Sequence, residues 1–372
     1  MTEKKIANKI ILLSGGGTGG SVTPLLAMAA ELIKEDEQGK LNLLFVGTRS
    51  GPEQEMVAAF NREIGPLRFL TITSGKWRRY ISFRNFLDVF KIIVGFFQAF
   101  FLLSRQRPAV VISAGAFVSV PLVWAAALKK IPVLIHQQDV RPGLANKLMA
   151  PFARVITVTF EKSIDDYGAR AIWVGNPTQE LSPADKQTLI KEIRNKYNLN
   201  FDQPVILITG GGTGAVAINK LVFKSVKELG ARYQIIHLTG RGKSAFPALE
   251  YNNYHFQEFV TPQEFLGLAV TADLIVSRCG MAALTEIAVL NKAAILIPMP
   301  NSHQVDNAAI FLKNQAALVL DQTELSSQKL IDEINRVFDD ILLKEKLSAN
   351  TIKVIRRGAT ATLIGIIWEM IK

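Results

Sequence analysis

Cysteine and histidine are both scarce in this sequence of 372 residues. The single cysteine, Cys279, excludes an internal disulfide and any cysteine-rich zinc site, which is typical of a protein in a reducing compartment. The four histidines are scattered along the chain and argue against a His-rich metal site. From these two absences we expect no bound metal.

We expect no targeting segment either. The N-terminal apolar run, IANKIILLS, is short and leads into glycines, so it resembles neither a signal peptide nor a membrane anchor and predicts a cytoplasmic protein.

The surplus of 43 basic over 32 acidic residues gives a net charge of +11. Such a charge suits a nucleic acid, an anionic membrane or a phosphate-rich substrate, and does not choose among them.

One segment comes close to a membrane span. Residues 86–103, FLDVFKIIVGFFQAFFLL, approach the roughly 20 apolar residues that a spanning helix needs, but Asp88, Lys91 and Gln98 interrupt them. This composition favours a helix that lies in a headgroup layer, with an apolar core helix as the alternative and a true span disfavoured. Cationic and aromatic residues mix just before and at the start of the run, at Lys76, Trp77, Arg78, Arg79, Tyr80, Phe83, Arg84 and Phe86.

An internal repeat organises the chain. IILLSGGGTG at 10–19 recurs as VILITGGGTG at 205–214, and each copy is an apolar strand, a glycine turn and a helix-like stretch. Further apolar runs follow at the spacing of alternating strands and helices, which indicates parallel sheets covered on both faces. The sequence therefore predicts two doubly wound, Rossmann-like α/β domains facing across a cleft, at 6–176 and 177–356, with a last helix at about 357–372 packing back on the first domain.

The glycine loops suggest phosphate binding. Glycines let the backbone approach a phosphate, and the next helix supplies unpaired N–H groups. No acidic residue follows the second strand, and no Lys-Ser/Thr pair follows the first glycines, which argues against a dinucleotide-binding oxidoreductase and a P-loop enzyme. A third loop, SRCG at 277–280, opens the helix that carries Glu286. This carboxylate can bond ribose hydroxyls, or it is a solvated helix glutamate.

Six strings together resemble one family. GGGTGGSVTPLLA, IHQQDVRPGLANKLMA, VGNPTQ, GGGTGAVAIN, SRCGMAALTEIA and HQVDNA are similar, in this order, to the motifs of the MurG family, which belongs to glycosyltransferase family 28. The resemblance implies a GT-B fold and transfer of N-acetylglucosamine from its UDP form. The implied acceptor is undecaprenyl-pyrophosphoryl-MurNAc-pentapeptide (lipid I), which becomes lipid II in peptidoglycan synthesis. It also implies peripheral binding to an anionic membrane at its cytoplasmic face, with no cofactor required.

The resemblance also implies which residues bind the substrates. Glu286 corresponds to the residue that bonds the ribose, Val260 to the neighbour of uracil, and Gln304 to the contact of the donor sugar. The second-domain loop contains Gly212, where the family carries serine. The helix start that would face the diphosphate comprises Met281, Ala282, Ala283, Leu284 and Thr285, and the first-domain loop that would serve the acceptor comprises Thr18, Gly19 and Gly20.

The sequence departs from the family at the candidate general base. Ser21 stands where the family has histidine, and serine does not accept a proton near pH 7 unaided. In IHQQD, Gln137 replaces the family's glutamate, while Asp139 supplies a carboxylate in place of an asparagine. We therefore expect Asp139 or His136 to act as the base, with a satisfied structural histidine as the alternative for His136. Smaller departures are Ala116 for a glycine and Gln179 for an arginine.

Other functions remain open at this stage. One is a transferase that acts on diacylglycerol or another polyprenyl carrier, and another is a nucleotide-sugar-binding protein without catalysis. Nucleic-acid binding is disfavoured because the positive charge lies beside an apolar face and no nucleic-acid motif is present.

Overall fold

The computed structural model describes residues 9–36, 38–75, 83–211, 214–244 and 251–372, and of residues 83–87 and 89 it describes the backbone alone. The chain divides into two compact units. Unit 1 comprises Met1–Gln179 together with Arg357–Lys372, and unit 2 comprises Glu180–Arg356.

Unit 1 is built on a sheet of seven parallel strands. The strands are β1 Lys9–Ser14, β2 Leu41–Gly47, β3 Arg68–Thr71, β4 Val110–Ser113, β5 Val133–Gln137, β6 Val155–Val158 and β7 Ala171–Trp173. Their order is β3-β2-β1-β4-β5-β6-β7, so the direction of winding changes between β1 and β4. Ligands of such sheets bind beyond the carboxyl ends of the strands at this point.

Helices cover both faces of this sheet. They are α1 Thr23–Glu35, α2 Glu53–Glu63, α3 Phe83–Gln106, α4 Ser119–Leu128 and α5 Leu144–Met149. Successive strand residues point to opposite faces, so Ile11 and Leu13 join one core with α1 and α2, while Leu12 joins the other with α3, α4 and α5. Burial on both faces explains why the strands are continuous apolar runs.

Unit 2 repeats this plan with six parallel strands. They are β8 Val205–Thr209, β9 Gln234–Leu238, β10 Tyr254–Gln257, β11 Leu274–Ser277, β12 Ala293–Leu296 and β13 Leu318–Val319, in the order β10-β9-β8-β11-β12-β13. The helices are α6 Pro183–Lys196, α7 Val216–Leu229, α8 Pro262–Thr271, α9 Met281–Val289, α10 His303–Lys313, α11 Ser327–Asp339 and α12 Ile341–Asn350. The predicted pair of doubly wound parallel sheets is confirmed.

The last helix, α13 Ala359–Met370, belongs to unit 1. Leu363, Ile364 and Ile367 enter the core that α1 and α2 share. At the surface the Trp368 Nε1–H donates to the Glu35 carboxylate at 2.8 Å. The chain therefore leaves unit 1 after Gln179 and returns to it at Arg357.

Helix α3 exposes an apolar stripe, while two of its polar residues, Asp88 and Gln98, are engaged within unit 1. Asp88 is 3% exposed and pairs with the Lys91 Nζ at 2.8 Å, and the Gln98 side-chain oxygen accepts the Thr73 N–H at 2.7 Å. The residues that we call the α3 stripe are 47% to 68% exposed: Phe90, Ile93, Val94, Phe97 and Phe101. Among the residues that the structure describes, no helix combines the length and hydropathy needed to cross a bilayer. The basic segment at 76–82 lies outside the described residues.

Candidate active site

The hydroxyl of Ser21 shapes the glycine loop after β1. Its Oγ accepts the Gly16 N–H at 3.0 Å and donates to the Gly16 carbonyl at 2.9 Å. Gly17 has a φ of 76°, a left-handed conformation that favours glycine. Ser21 is therefore part of the turn itself, and Thr18, Gly19 and Gly20 form the outer part of the loop, exposed or half-buried.

A buried carboxylate supports the same loop. Glu53, the first residue of α2, is fully buried and accepts hydrogen bonds from the Gly17 N–H at 3.1 Å and the Thr48 N–H at 2.7 Å, as well as from the Thr48 hydroxyl. The sequence pattern does not indicate a role for Glu53, because a glutamate is almost never fully buried unless it is paired. The only available signal was the glycine-rich stretch on either side of Thr48.

The loop between β5 and α5 depends on the amide of Gln137. Its Nε2 group donates to the carbonyls of Asp139 at 2.7 Å and Arg141 at 3.1 Å, while its Oε1 accepts the Tyr167 hydroxyl at 3.1 Å. An ionised glutamate cannot donate hydrogen bonds. The glutamine in this chain therefore makes two bonds to the loop that a glutamate at this position would not make. The Asp139 side chain is half-buried on this loop.

His136 is enclosed within unit 1. The residue is fully buried, its Nδ1 lies 3.0 Å from the Thr157 hydroxyl, and its Nε2 lies 2.9 Å from the Asn176 side-chain oxygen. Since that oxygen only accepts, Nε2 carries the proton and Nδ1 accepts from Thr157. Burial lowers the pKa of His136 from 6.5 to about 4, although the Asn176 bond opposes this shift. This geometry argues against His136 as a base and favours the structural alternative that the sequence left open.

The loop between β4 and α4 lies between the two loops just described. Gly115 and Ala116 both have a positive φ, 102° and 73°, and the Ser119 hydroxyl lies 2.8 Å from the Gly115 carbonyl. Asn146, 6% exposed, faces this loop, and within the described part of the chain its side-chain oxygen has no hydrogen-bond partner. A buried polar oxygen in this state is unusual. Asn146 is thus, after Glu53, a second candidate residue of the site that the sequence pattern did not indicate.

In unit 2 the first glycine loop follows β8. A side chain at Gly210 would place Cβ 2.3 Å from the Ala215 nitrogen, and one at Gly214 would place it 2.3 Å from the Thr239 carbonyl. Gly211 and Gly214 also have positive φ angles of 76° and 67°. Glycine is therefore required for the turn itself. Gly212 lies outside the described residues, so its role stays a prediction.

The second turn of unit 2 joins β11 to α9, beside β8 at the point where the winding reverses. Gly280 is the N-cap of α9 and no side chain caps the helix, whereas Ser or Asp side chains cap α6, α10, α11 and α12, and Thr261 caps α8. A Cβ built on Gly280 would meet nothing within 4 Å. The first-turn N–H groups of α9 therefore border open space and suit an anion.

Arg278 fixes the position of this turn. Its Nη1 donates to the Ile297 carbonyl at 2.9 Å and the Pro298 carbonyl at 3.0 Å, and its Nη2 donates to the Gln322 side-chain oxygen. Arg278 is 8% exposed, and burial lowers the pKa of its guanidinium. The arginine thus joins the turn before α9 to the loop after β12, and is not itself presented to a ligand.

Most predicted residues of α9 have buried side chains. Met281, Ala283, Leu284 and Thr285 are 6% exposed or less, whereas Ala282 is exposed. Any contact of the buried four with a diphosphate would therefore be made by backbone N–H groups. Glu286 is half-buried and lies farther along the same helix.

The remaining predicted donor residues are Gln304, at the start of α10, and Val260, in the loop after β10. Gln304, in the first turn of α10, accepts the Met299 N–H on its side-chain oxygen at 3.0 Å, which holds the loop after β12 against the helix. Val260 is half-buried in the loop after β10, next to Phe259, whose ring lies 4.2 Å from the Arg241 guanidinium. Both loops follow strands at the carboxyl edge of the sheet.

A buried polar chain supports the loop after β9. The Asn219 Nδ2 group donates to the carbonyls of Thr239 at 2.9 Å and Lys243 at 3.2 Å, so its oxygen accepts from the His237 Nε2 at 3.1 Å. The His237 Nδ1 then accepts the Tyr254 hydroxyl at 2.9 Å. Burial lowers the pKa of His237 to about 4 and raises that of Tyr254 to about 12.

Throughout the described ranges, no group of three or more His, Cys, Asp or Glu side chains is arranged to hold a metal ion. Cys279 is buried, and burial raises the pKa of its thiol to about 12, so the thiol is protonated at neutral pH.

Comparison with solved structures defines the class of protein. The chain matches a MurG from Acinetobacter baumannii with a TM-score of 0.71 at 23% identity, covering 97% of this chain and 99% of the other. It matches the calicheamicin glycosyltransferase CalG4 with a TM-score of 0.70 at 13% identity, covering 97% and 98%. The fold is that of the GT-B glycosyltransferases.

Family models and relatives then identify the family. Residues 11–158 match the glycosyltransferase family 28 N-terminal domain, and residues 205–361 match its C-terminal domain. The chain belongs to glycosyltransferase family 28. Relatives from Clostridium kluyveri, at 37% identity over 88% of this chain and 91% of theirs, and from Clostridium perfringens, at 34% over 94% of both, are named as UDP-N-acetylglucosamine–N-acetylmuramyl-(pentapeptide) pyrophosphoryl-undecaprenol N-acetylglucosamine transferases.

The two buried histidines predict acid-sensitive stability. Between pH 6.5 and 4 the unfolded chain binds protons at these histidines that the folded chain does not, so the free energy of unfolding falls as the pH falls. We expect each histidine to remove on the order of 2 kcal/mol between pH 7.5 and pH 5. Urea unfolding at both pH values measures this loss.

His136→Gln and His237→Gln should each make unfolding less dependent on pH, in unit 1 and in unit 2 respectively. Gln54, which is exposed on α2 and does not titrate, supplies the control variant Gln54→Asn, and this variant should keep the wild-type dependence. Equal pH dependence in all four proteins would contradict the assignment.

Proposed function

We propose that the chain transfers N-acetylglucosamine from UDP-N-acetylglucosamine to the 4-hydroxyl of the MurNAc sugar of lipid I, forming lipid II for peptidoglycan synthesis. The similarity to transferases of this name, at 34–37% identity over about nine-tenths of the chain, is the observation that carries the proposal. The turns at the carboxyl edge of each sheet support it, because they suit one phosphate-bearing ligand in each unit.

Unit 2 would bind the donor. The uncapped N-terminus of α9 supplies N–H groups and the positive end of the helix dipole to the diphosphate, and Gly280 leaves room for its approach. Glu286 would bond the ribose hydroxyls, Val260 would lie beside the uracil, and Gln304 would contact the sugar. The same N–H groups would stabilise the charge that develops on UDP as it leaves.

Unit 1 would bind the acceptor, with Asp139 as the general base. The 4-hydroxyl oxygen attacks the anomeric carbon, the bond from that carbon to the UDP oxygen breaks with inversion, and the hydroxyl proton passes to the Asp139 carboxylate. Ser21 is engaged in the turn of its loop and His136 is enclosed, so neither competes for this role. Thr18, Gly19 and Gly20 would face the acceptor pyrophosphate.

The proposed reaction requires no cofactor. The leaving group is a diphosphate, and fixed N–H dipoles at a helix N-terminus stabilise such charge without a metal ion. A base contributes about 10²–10⁴-fold to a transfer of this kind, so Asp139 and the α9 terminus would carry separate parts of the catalysis.

We also propose that unit 1 binds the cytoplasmic face of the membrane peripherally through the α3 stripe. Five exposed apolar side chains on one helix form a surface that water solvates poorly. Lys129, whose Nζ lies 3.8 Å from the centre of the Phe100 ring, and the exposed Lys130 place cations next to α3, where they would meet anionic headgroups. A lipid-linked acceptor would be encountered at that surface.

Kinetics of transfer to a lipid I analogue test the donor and base assignments separately. Asp139→Asn should lower kcat about 10²–10⁴-fold and leave the KM for the donor near the wild-type value, because the base acts in the chemical step. Glu286→Gln should raise the donor KM roughly tenfold with a smaller change in kcat, because it weakens charge-assisted bonds to the ribose.

The exposed residues Asp165 and Glu345 supply the controls Asp165→Asn and Glu345→Gln, which should leave both constants unchanged. A wild-type kcat in Asp139→Asn would eliminate Asp139 as the base. A folded wild-type chain that binds the donor without transferring it would indicate a non-catalytic binding protein. Transfer to diacylglycerol or another polyprenyl carrier, with none to lipid I, would show that the acceptor is not lipid I.

Vesicle binding tests the membrane proposal. The double variant Phe97→Ser/Phe101→Ser should bind vesicles of phosphatidylglycerol and phosphatidylcholine about 10–100-fold more weakly, since two half-exposed rings lose their burial in lipid. Phe201→Ser is the matched control, because Phe201 is 66% exposed on unit 2 and Phe101 is 68% exposed. Unchanged binding of the double variant in co-sedimentation would contradict a role for the stripe.

A further inference from the structure

Glu53 occupies a space that three glycines leave for it. A Cβ built on Gly16 would lie 2.5 Å from a Glu53 carboxylate oxygen, one on Gly51 would lie 2.1 Å from the other oxygen, and one on Gly47 would lie 2.6 Å from the Glu53 Cγ. Gly16 lies in the loop after β1, Gly47 is the last residue of β2, and Gly51 lies in the loop after β2. Two separate parts of the chain are therefore shaped around one buried side chain.

The environment of Glu53 suits an ionised carboxylate. Burying a charge is costly unless hydrogen bonds compensate for the lost water. Here the Gly17 N–H, the Thr48 N–H and the Thr48 hydroxyl all donate to it, and Glu53 lies in the first turn of α2, where the helix dipole favours negative charge. We call this set of bonds the Glu53 clamp. All three of these donors are uncharged.

The clamp decides which part of the glycine loop is available to a ligand. The Gly17 N–H is engaged by Glu53, and the Gly16 N–H is engaged by Ser21. Thr18, Gly19 and Gly20 then follow from a fixed Gly17 and lead into α1. An N–H group that points at a carboxylate cannot also bind a phosphate, so the clamp and Ser21 together withdraw the Gly17 and Gly16 N–H groups from anion binding and leave those of residues 18–20.

We infer that Glu53 is a positioning residue for the acceptor: its charge holds the loop of residues 15–20 in the conformation that receives the lipid-linked substrate. The inference rests on the proposed function for the identity of that substrate. Glu53 is fully buried and acts through Gly17 and Thr48, so it is not a catalytic residue. Unit 2, which would hold the donor, contains no part of the clamp.

The central test compares Glu53→Gln with wild type in transfer kinetics. Glutamine keeps the shape of the side chain but lacks the charge, and one of its two ends donates where the carboxylate accepts. We expect the KM for the lipid I analogue to rise roughly tenfold, with the KM for UDP-N-acetylglucosamine within about twofold of wild type. Thr48→Val, which removes the hydroxyl donor alone, should raise the acceptor KM by a smaller factor.

Glu55→Gln is the matched control, because Glu55 is exposed two residues farther along the same helix, and it should leave both KM values unchanged. A purely structural role for Glu53 would lower the amount of active protein, and hence the apparent kcat, with both KM values unchanged. That result would overturn the inference, as would a wild-type acceptor KM in folded Glu53→Gln. Thr48→Val gives the same readout if Glu53→Gln does not fold.

Hydrogen exchange separates failure of the inference from failure of the proposed function. In Glu53→Gln the backbone of residues 15–21 should exchange about tenfold faster than in wild type and in Glu55→Gln. If wild type transfers nothing to lipid I, the proposed function fails and the acceptor assignment of the clamp fails with it. If wild type is active and neither loop exchange nor acceptor KM changes, the inference alone is wrong.

Discussion

The organisation of this protein depends on unpaired N–H groups at helix N-termini that follow buried parallel strands. The first N–H groups of a helix have no partner within the helix. Ser, Thr or Asp side chains meet this need at α6, α8, α10, α11 and α12. The helices that follow the glycine loops, α1, α7 and α9, have no such cap. All three lie where a sheet reverses its winding, and the first-turn N–H groups of α9 border open space and suit an anion.

Keeping those termini in place requires side chains that no ligand would touch. Glu53 and Ser21 fix the loop before α1, Gln137 fixes the loop that carries Asp139, and Arg278 joins the turn before α9 to the loop after β12. Each of these residues bonds at least one backbone group of the loops it supports. A polar group buried in this way is costly to disturb, because its partners lose their bonds together. Buried side chains thus maintain the geometry of the candidate site loops in each unit.

The sequence predicted the fold well, because the fold depends on local patterns. Apolar runs and glycine turns determine strands and loops, and the repeat at 10–19 and 205–214 predicted both sheets. What the sequence did not reveal depends on the direction of single side chains. His136 lies near the carboxyl end of β5, where catalytic residues are often found, yet it is fully buried and bonds Thr157 and Asn176. In the sequence, Glu53 looks like a solvated helix residue. Its burial among three glycines is evident only in the three-dimensional structure.

The most direct test of the account is the linkage in the product formed from UDP-N-acetylglucosamine and a lipid I analogue, determined by nuclear magnetic resonance. A single displacement by the acceptor hydroxyl inverts the α-linked donor, so we predict N-acetylglucosamine joined in the β configuration to the 4-hydroxyl of MurNAc. An α-linked product, or no product from a folded chain that binds the donor, would contradict it.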